Sequence, residues 1–242
     1  MIDREIDITT PDGLMNTFIT HPEEGGPHPV VIFYMDAPGK REELHDMARR
    51  LGSAGYYVIL PNLYYRRDRD FRMGTGDEAR KLMFEHMGSL NKPKILTDTA
   101  ALLAFVDQDP AAKAGKAGVV GYCMSGPFVF WAGSQYPDRI AAVASFHGVH
   151  LCTEEADSPH RTADRIQGEV YVGCAQTDVW APSEMIAALD AHLRTTRLRY
   201  RIETYADTQH GFVFPLRQGM YQKAGAERHW ERLHALLQRN LV

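Results

Sequence analysis

Three side chains of this sequence could together carry out nucleophilic chemistry on a carbonyl carbon: Cys123, Asp178 and His210. A thiol attacks as the thiolate, and an imidazole can take and return a proton near neutral pH. A carboxylate on the far ring nitrogen fixes the tautomer of the histidine and stabilises its imidazolium form. We therefore treat the three residues as a candidate nucleophile, acid and base.

The candidate nucleophile lies in a segment that has the pattern of a sharp turn between a strand and a helix. The segment reads Gly121-Tyr122-Cys123-Met124-Ser125-Gly126, between an apolar run at 117–120 and a helical apolar pattern at 128–132. Small flanking residues are needed because bulky ones would collide with the following helix. The pattern predicts a nucleophile elbow in which Cys123 replaces the usual Ser and Ser125 replaces the usual Gly.

Alternating apolar runs and helical periodicities predict the elements that must position these residues. Asp178 follows a predicted strand at 169–174, and His210 follows one at 199–205. Parallel strands end at one edge of a sheet, where ligands bind, and the order nucleophile, acid, histidine is that of α/β-hydrolases. The other predicted strands are 6–9, 14–20, 29–35, 56–60, 117–120 and 140–146, and the predicted helices are 40–54, 77–87, 92–107, 128–136, 182–193 and 221–238.

These elements predict an α/β fold, specifically an α/β-hydrolase fold. Its sheet is doubly wound and mostly parallel, with an N-terminal antiparallel hairpin that turns at Asp12-Gly13. Without repeats or a linker, the whole of residues 1–242 is expected to form a single domain.

Each candidate also has a purely structural interpretation. A lone Cys is more often a small hydrophobe, and a lone Asp or His after a strand is often a turn residue. Asp207 is a rival acid, but it lies on the same loop as His210 and very near it in sequence. The remaining histidines, His147 and His150 included, are expected on loops or the surface, and a place for His147 in the pocket is the less favoured alternative.

Composition narrows the function classes. The 242 residues are 44% hydrophobic and 24% charged with a net charge of −4, which is typical of an ordinary soluble globule and not of a nucleic-acid binder. No apolar run reaches the length of a membrane span, and the N-terminus lacks a signal-peptide layout, so we expect no membrane partner and a cytoplasmic location. The three cysteines have no metal-like spacing and are expected to be free thiols.

Several stretches of this sequence resemble those of one family, the dienelactone hydrolases. The Gly-Tyr-Cys elbow is the most specific shared feature, and the other shared stretches are 29–36, 55–66, 118–126, 176–178 and 210–212. The resemblance implies an intracellular, cofactor-free hydrolase of the carboxymethylenebutenolidase type, acting in the degradation of aromatic compounds. Its partner would be a small-molecule lactone or ester, possibly bearing a carboxylate, and the protein would be a monomer or homodimer.

The resemblance also implies further site residues. The family carries a carboxylate after the third strand, normally Glu, which takes the thiol proton; Asp36 occupies that position here. Backbone N–H groups that hold the oxyanion map onto Met124 and Ala37, neither of which is proline.

Substrate-binding positions differ from the family in one respect. Phe214 stands where the family has an arginine that binds the substrate carboxylate. Arg217, Arg66 or Arg80 could supply the cation instead, and Tyr64, Tyr65 and Trp180 could form the apolar sides of a pocket. These differences favour a substrate other than dienelactone itself.

The leading hypothesis is thus a hydrolase that opens a lactone or cleaves an ester through Cys123, His210 and Asp178. One alternative is a broad carboxylesterase or thioesterase with the same three residues. The other alternative is a non-catalytic binding protein that keeps the scaffold.

Overall fold

The computed structural model describes all residues, 1–242, as two compact units, 1–115 and 116–242. Each unit is built on part of a β-sheet with helices packed against it. No helix is both long enough and apolar enough to cross a membrane.

The first unit begins with the predicted antiparallel hairpin. Strands β1 and β2 pair along their whole length around a turn at Gly13, whose φ of 131° lies in the region that favours glycine. Strand β2 is antiparallel to β4, and β4 is parallel to β3, giving the order β1-β2-β4-β3. The bounds are β1 Ile2–Thr10, β2 Gly13–His21, β3 His28–Tyr34, α1 Glu42–Ser53, β4 Tyr57–Pro61, α2 Asp77–Gly88 and α3 Lys92–Val106.

The second unit contains four parallel strands in the order β5-β6-β7-β8, the first of which starts at the end of the preceding unit. Every residue of β6 is buried, as its sequence, apolar except for Ser145, predicts for a strand covered on both faces. The bounds are β5 Ala112–Tyr122, α4 Gly126–Gln135, β6 Ile140–Phe146, β7 Glu169–Thr177, α5 Ser183–Leu193, β8 Tyr200–Gln209 and α6 Lys223–Leu241, with single 3-10 segments at Cys123–Ser125 and Pro159–Arg165.

The predicted fold class is confirmed: the sheet is mostly parallel and starts with an antiparallel hairpin. The expectation of one domain over residues 1–242 stays a prediction. Two strands end later than their apolar runs indicate, because β7 and β8 shift register and pair again at Thr177 and Gln209. Most of these added residues are exposed, and only Ala175 and Thr208 among them are buried, so hydrophobic patterning could not reveal them.

Candidate active site

The turn after β5 has the strained geometry of an elbow. Cys123 has a φ of 55°, in the left-handed region that a residue with a side chain rarely adopts. A Cβ atom at Gly121 would lie 2.4 Å from the carbonyl oxygen of Ser125, and one at Gly126 would lie 2.3 Å from the Cα of Gly148. Glycine is therefore required on both sides of Cys123, as the sequence pattern indicates.

Ser125, the departure from the usual elbow, closes the turn through its hydroxyl. The Oγ atom accepts a hydrogen bond from the backbone N–H of Tyr122 at 2.8 Å and donates one to the carbonyl of the same residue at 3.0 Å. Ser125 is fully buried. Its hydroxyl thus binds both backbone polar groups of the residue that precedes Cys123.

Asp178 and His210 lie side by side because the last ladder pair of β7 and β8, Thr177 with Gln209, comes directly before them. The Nδ1–H of His210 donates to Oδ2 of Asp178 at 2.8 Å. The other carboxylate oxygen accepts the backbone N–H groups of Trp180 at 2.9 Å and Ala181 at 3.0 Å. These bonds fix the orientation of the nearly inaccessible carboxylate of Asp178.

On its other side, His210 is hydrogen-bonded to Cys123. Burial on its own would lower the pKa of His210, but the hydrogen bonds to Asp178 and Cys123 outweigh it and raise that pKa to about 9. The structure thus brings together, within the second unit, the three residues singled out by the sequence. His210 lies between the Cys123 sulfur and the Asp178 carboxylate.

Asp207, the rival acid, lies elsewhere. It is exposed, with a φ of 57°, and its backbone N–H donates to Oε1 of Gln176 at 2.6 Å. The partner of His210 is therefore the carboxylate that precedes α5.

His147 was expected on a loop or at the surface; it does lie on the loop after β6, but it is buried and not at the surface. It is 1% exposed, and its ring centroid lies 4.8 Å from that of His210. The reason is the position of its strand: β6 pairs with the elbow strand, so the first residue after β6 lies next to the elbow. The parallel pairing was foreseeable from the sequence, but the direction of this side chain was not.

The loop after His210 carries Phe214 and Arg217. Phe214 is fully buried, and the guanidinium carbon of Arg217 lies 4.4 Å from the centroid of the Phe214 ring. A Cβ atom at Gly211 would lie only 2.7 Å from Nη1 of Arg217, so this cation packs against the backbone next to His210. Trp180, which follows Asp178 closely, is 47% exposed.

In the first unit, Asp36 and Ala37 follow β3 and are both buried. The carboxylate of Asp36 forms an ion pair with Arg41, which also binds Glu43. The hydroxyl of Tyr64 donates to the carbonyl of Ala37 at 2.8 Å. Arg41 is a partner that the sequence did not indicate, and the roles implied for Asp36 and Ala37 stay predictions.

The other candidates of the first unit are mostly bound within it. Both terminal nitrogens of Arg66 donate to Asp98, at 2.8 and 2.7 Å, and its Nε donates to Asp12. The Tyr65 hydroxyl also donates to Asp98, at 2.9 Å, and Arg80 is exposed. A substrate-binding role for these residues and for Tyr64 stays a prediction.

Comparison with known proteins assigns the chain to a family. The model of the dienelactone hydrolase family matches residues 15–241. The chain belongs to the dienelactone hydrolase family. A relative from Synechocystis sp., provisionally named a carboxymethylenebutenolidase, is 26% identical over 93% of this chain and 91% of its own. A Bradyrhizobium relative, provisionally named a 2-oxo-3-(5-oxofuran-2-ylidene)propanoate lactonase, is 22% identical over 93% and 89%.

Solved structures of the family share the fold. A provisionally named dienelactone hydrolase from Klebsiella pneumoniae superposes with a TM-score of 0.88 at 22% identity, covering 98% of each chain. A dienelactone hydrolase-like promiscuous phosphotriesterase from metagenomic libraries gives a TM-score of 0.84 at 20% identity, over 100% and 99%. The protein thus has the α/β-hydrolase fold of this family, and it is a hydrolase.

Proposed function

We propose that the protein hydrolyses lactones or esters by covalent catalysis, with Cys123 as nucleophile, His210 as proton carrier and Asp178 as the carboxylate that orients it. One observation supports this most: His210 is hydrogen-bonded to Asp178 on one side and to Cys123, at a strained elbow, on the other. Nucleophile, base and orienting acid in this arrangement are the elements of covalent acyl transfer.

In the acylation step, the Cys123 sulfur forms a bond to the carbonyl carbon and the carbonyl π electrons move to oxygen. The backbone N–H of Met124, which directly follows the nucleophile, is the candidate donor to that oxyanion. When the tetrahedral intermediate collapses, the C–O bond breaks and the imidazolium of His210 protonates the departing alkoxide. A lactone would open in this step, with the new hydroxyl still attached to the acyl group.

In the deacylation step, His210 must act as a base. The thioester no longer carries the negative charge that helped to raise the pKa of His210, so this pKa falls and deprotonation of the imidazole becomes easier. It can then take a proton from water as the water oxygen attacks the thioester carbon. The C–S bond then breaks and the sulfur leaves as a thiolate. His210 keeps the proton that it took from water, so the thiolate–imidazolium pair is restored.

For the substrate, we propose a lactone or ester that bears a carboxylate, as compounds in aromatic degradation do. The names of the two relatives support a lactone. Arg217 is the candidate to bind the carboxylate because its guanidinium packs against Gly211, next to His210. Trp180, exposed beside Asp178, would contact an apolar part of the substrate.

Cysteine alkylation with matched variants tests the nucleophile. Iodoacetamide is expected to modify Cys123 first and to abolish turnover of cis-dienelactone and of p-nitrophenyl esters, and substrate should protect. Cys123→Ala should lose turnover while its circular dichroism spectrum stays unchanged. Cys174→Ala is the control, since burial raises the pKa of that thiol to about 12 and keeps it inert. Full turnover by Cys123→Ala would reject the assignment, and the ratio of the two substrates separates a lactonase from a general esterase.

A further inference from the structure

His147 is held in an unusual backbone conformation beside the elbow. Its φ is 37°, and its N–H donates to the carbonyl of Gly173 at 2.7 Å. Two residues later, the N–H of Val149 donates to the carbonyl of Cys123 at 3.1 Å. Strained residues that the surroundings hold in place occur preferentially at functional sites.

The His147 side chain is buried and its polar atoms have no partner. It is 1% exposed, and neither Nδ1 nor Nε2 makes a hydrogen bond. A buried, unsatisfied polar group costs about 1–3 kcal/mol of folding free energy. A phenyl ring would fill similar space without this cost, so packing alone does not explain an imidazole here.

Among the rings that contact His147, that of His210 is nearest, with ring centroids 4.8 Å apart and an interplanar angle of 65°. The other ring contacts are with Tyr122 at 6.0 Å, Phe212 at 5.8 Å and Phe214 at 5.7 Å. His147 therefore lies among aromatic rings and presents its own ring to that of the proton carrier.

The charged and titratable groups around His147 and His210 come from several elements of the second unit. Cys123 from the elbow and Asp178 from the end of β7 bind His210, and Arg217 comes from the loop after it. His229 on α6 accepts a hydrogen bond from the Tyr122 hydroxyl at 2.9 Å. Burial, followed by the nearby cationic groups His210 and Arg217, lowers the pKa of His147 well below its ordinary value, so this ring stays neutral.

We propose that His147 is a positioning residue for His210, whose imidazolium form it orients and stabilises with a neutral ring that has an uncommitted nitrogen lone pair. The proposal rests on the proposed function, because it concerns the proton carrier of that reaction. A neutral imidazole can turn its lone pair towards a neighbouring cation, and a phenyl ring cannot. On this proposal, His147 increases the rate of the reaction, and the protein loses folding stability because the side chain is buried without hydrogen bonds.

The test compares His147→Phe and His147→Asn with the wild type, using thermal unfolding, kcat, KM and the pH profile of kcat/KM. His147→Phe removes a buried unsatisfied group but puts a bulky residue at a φ of 37°, so its unfolding temperature should stay close to that of the wild type. Its kcat should fall about tenfold or more with KM within about threefold, as for lost orientation of an acid–base group. The basic limb of its profile should move to lower pH, because the imidazolium of His210 loses a stabilising neighbour.

His147→Asn should recover part of the kcat, because asparagine keeps a polar group and tolerates a positive φ. His150→Phe is the matched control: His150 is exposed on the same loop with a φ of 53°, and its variant should keep the wild-type kcat and pH profile. A wild-type kcat and profile for His147→Phe would overturn the proposal. A lower unfolding temperature with equal losses of activity in both His147 variants would also overturn it, since it would indicate a structural role.

Cys123→Ala, measured in the same assay, separates this proposal from the proposed function. If Cys123→Ala is inactive and His147→Phe behaves as the wild type, only the role of His147 fails. If Cys123→Ala remains active, the proposed function fails, and the role of His147 fails with it.

Discussion

His210 is bound on its two sides by groups that follow different strands of the second unit. The carboxylate of Asp178 holds Nδ1, and the thiol of Cys123 lies on the other side. The raised pKa of the histidine comes from these two partners and opposes the effect of burial. Asp178 should therefore control both the rate and the pH range of the reaction.

Asp178→Asn should lower kcat by a factor of about 10³–10⁴, since an amide cannot stabilise the imidazolium and can favour the wrong tautomer. With one of its two supporting hydrogen bonds weakened, the pKa of His210 falls. The basic limb of kcat/KM, expected near pH 9 in the wild type, should then move to lower pH. Asp207→Asn is the control and should leave rate and profile unchanged; equal effects of the two substitutions would contradict the role of Asp178.

At the scale of the elements, Glu203 joins β8, the strand that leads to His210, to helix α6. Its carboxylate accepts from Nε of Arg228 at 2.7 Å and from Nε of Arg232 at 2.9 Å, and both arginines lie on α6. Burial raises the pKa of Glu203, but the hydrogen bonds from these arginines outweigh it and lower that pKa to about 2. A depressed pKa means that the ionised form stabilises the fold.

Glu203→Gln should lower the free energy of unfolding by about 1.5–3 kcal/mol at neutral pH, the range for hydrogen bonds to charged groups. Because the pKa is lowered on folding, the wild type should hold this advantage above pH 4.5 and lose it as pH falls towards about 2. Urea denaturation between pH 7 and pH 2 measures it. Glu231→Gln, at an exposed position of α6, is the control; a difference between wild type and Glu203→Gln that does not change with pH would contradict the argument.

The sequence predicted the type and order of nearly all elements, because apolar runs and helical periodicities are strong in β3, β6 and α1. It did not predict the polar extensions of β7 and β8, whose pairing depends on backbone hydrogen bonds after a register shift. These extensions bring Asp178 and His210 together. The order of Cys123, Asp178 and His210 could thus be predicted from the sequence, but the contact between Asp178 and His210 could be seen only in the structure.

At the scale of the whole molecule, family membership and fold follow from features spread along the chain. The resemblance inferred from the elbow and the strand ends is confirmed by the family match over residues 15–241. What sequence could not supply are contacts between residues far apart in the chain, such as His147 with His210 or Arg66 with Asp98. Such contacts depend on side-chain directions, which periodicity does not fix.

The central claim is a covalent intermediate on Cys123, and trapping it is the most direct test. Wild-type protein is mixed with p-nitrophenyl acetate at mildly acidic pH, where water attack on a thioester is slowed by protonation of His210. After a rapid acid quench, peptide mapping by mass spectrometry locates any acetyl group. We predict a stoichiometric burst of p-nitrophenol with the acetyl group on the peptide that contains Cys123. Turnover without a burst, or an acetyl group on Cys152 or Cys174 alone, would contradict the account.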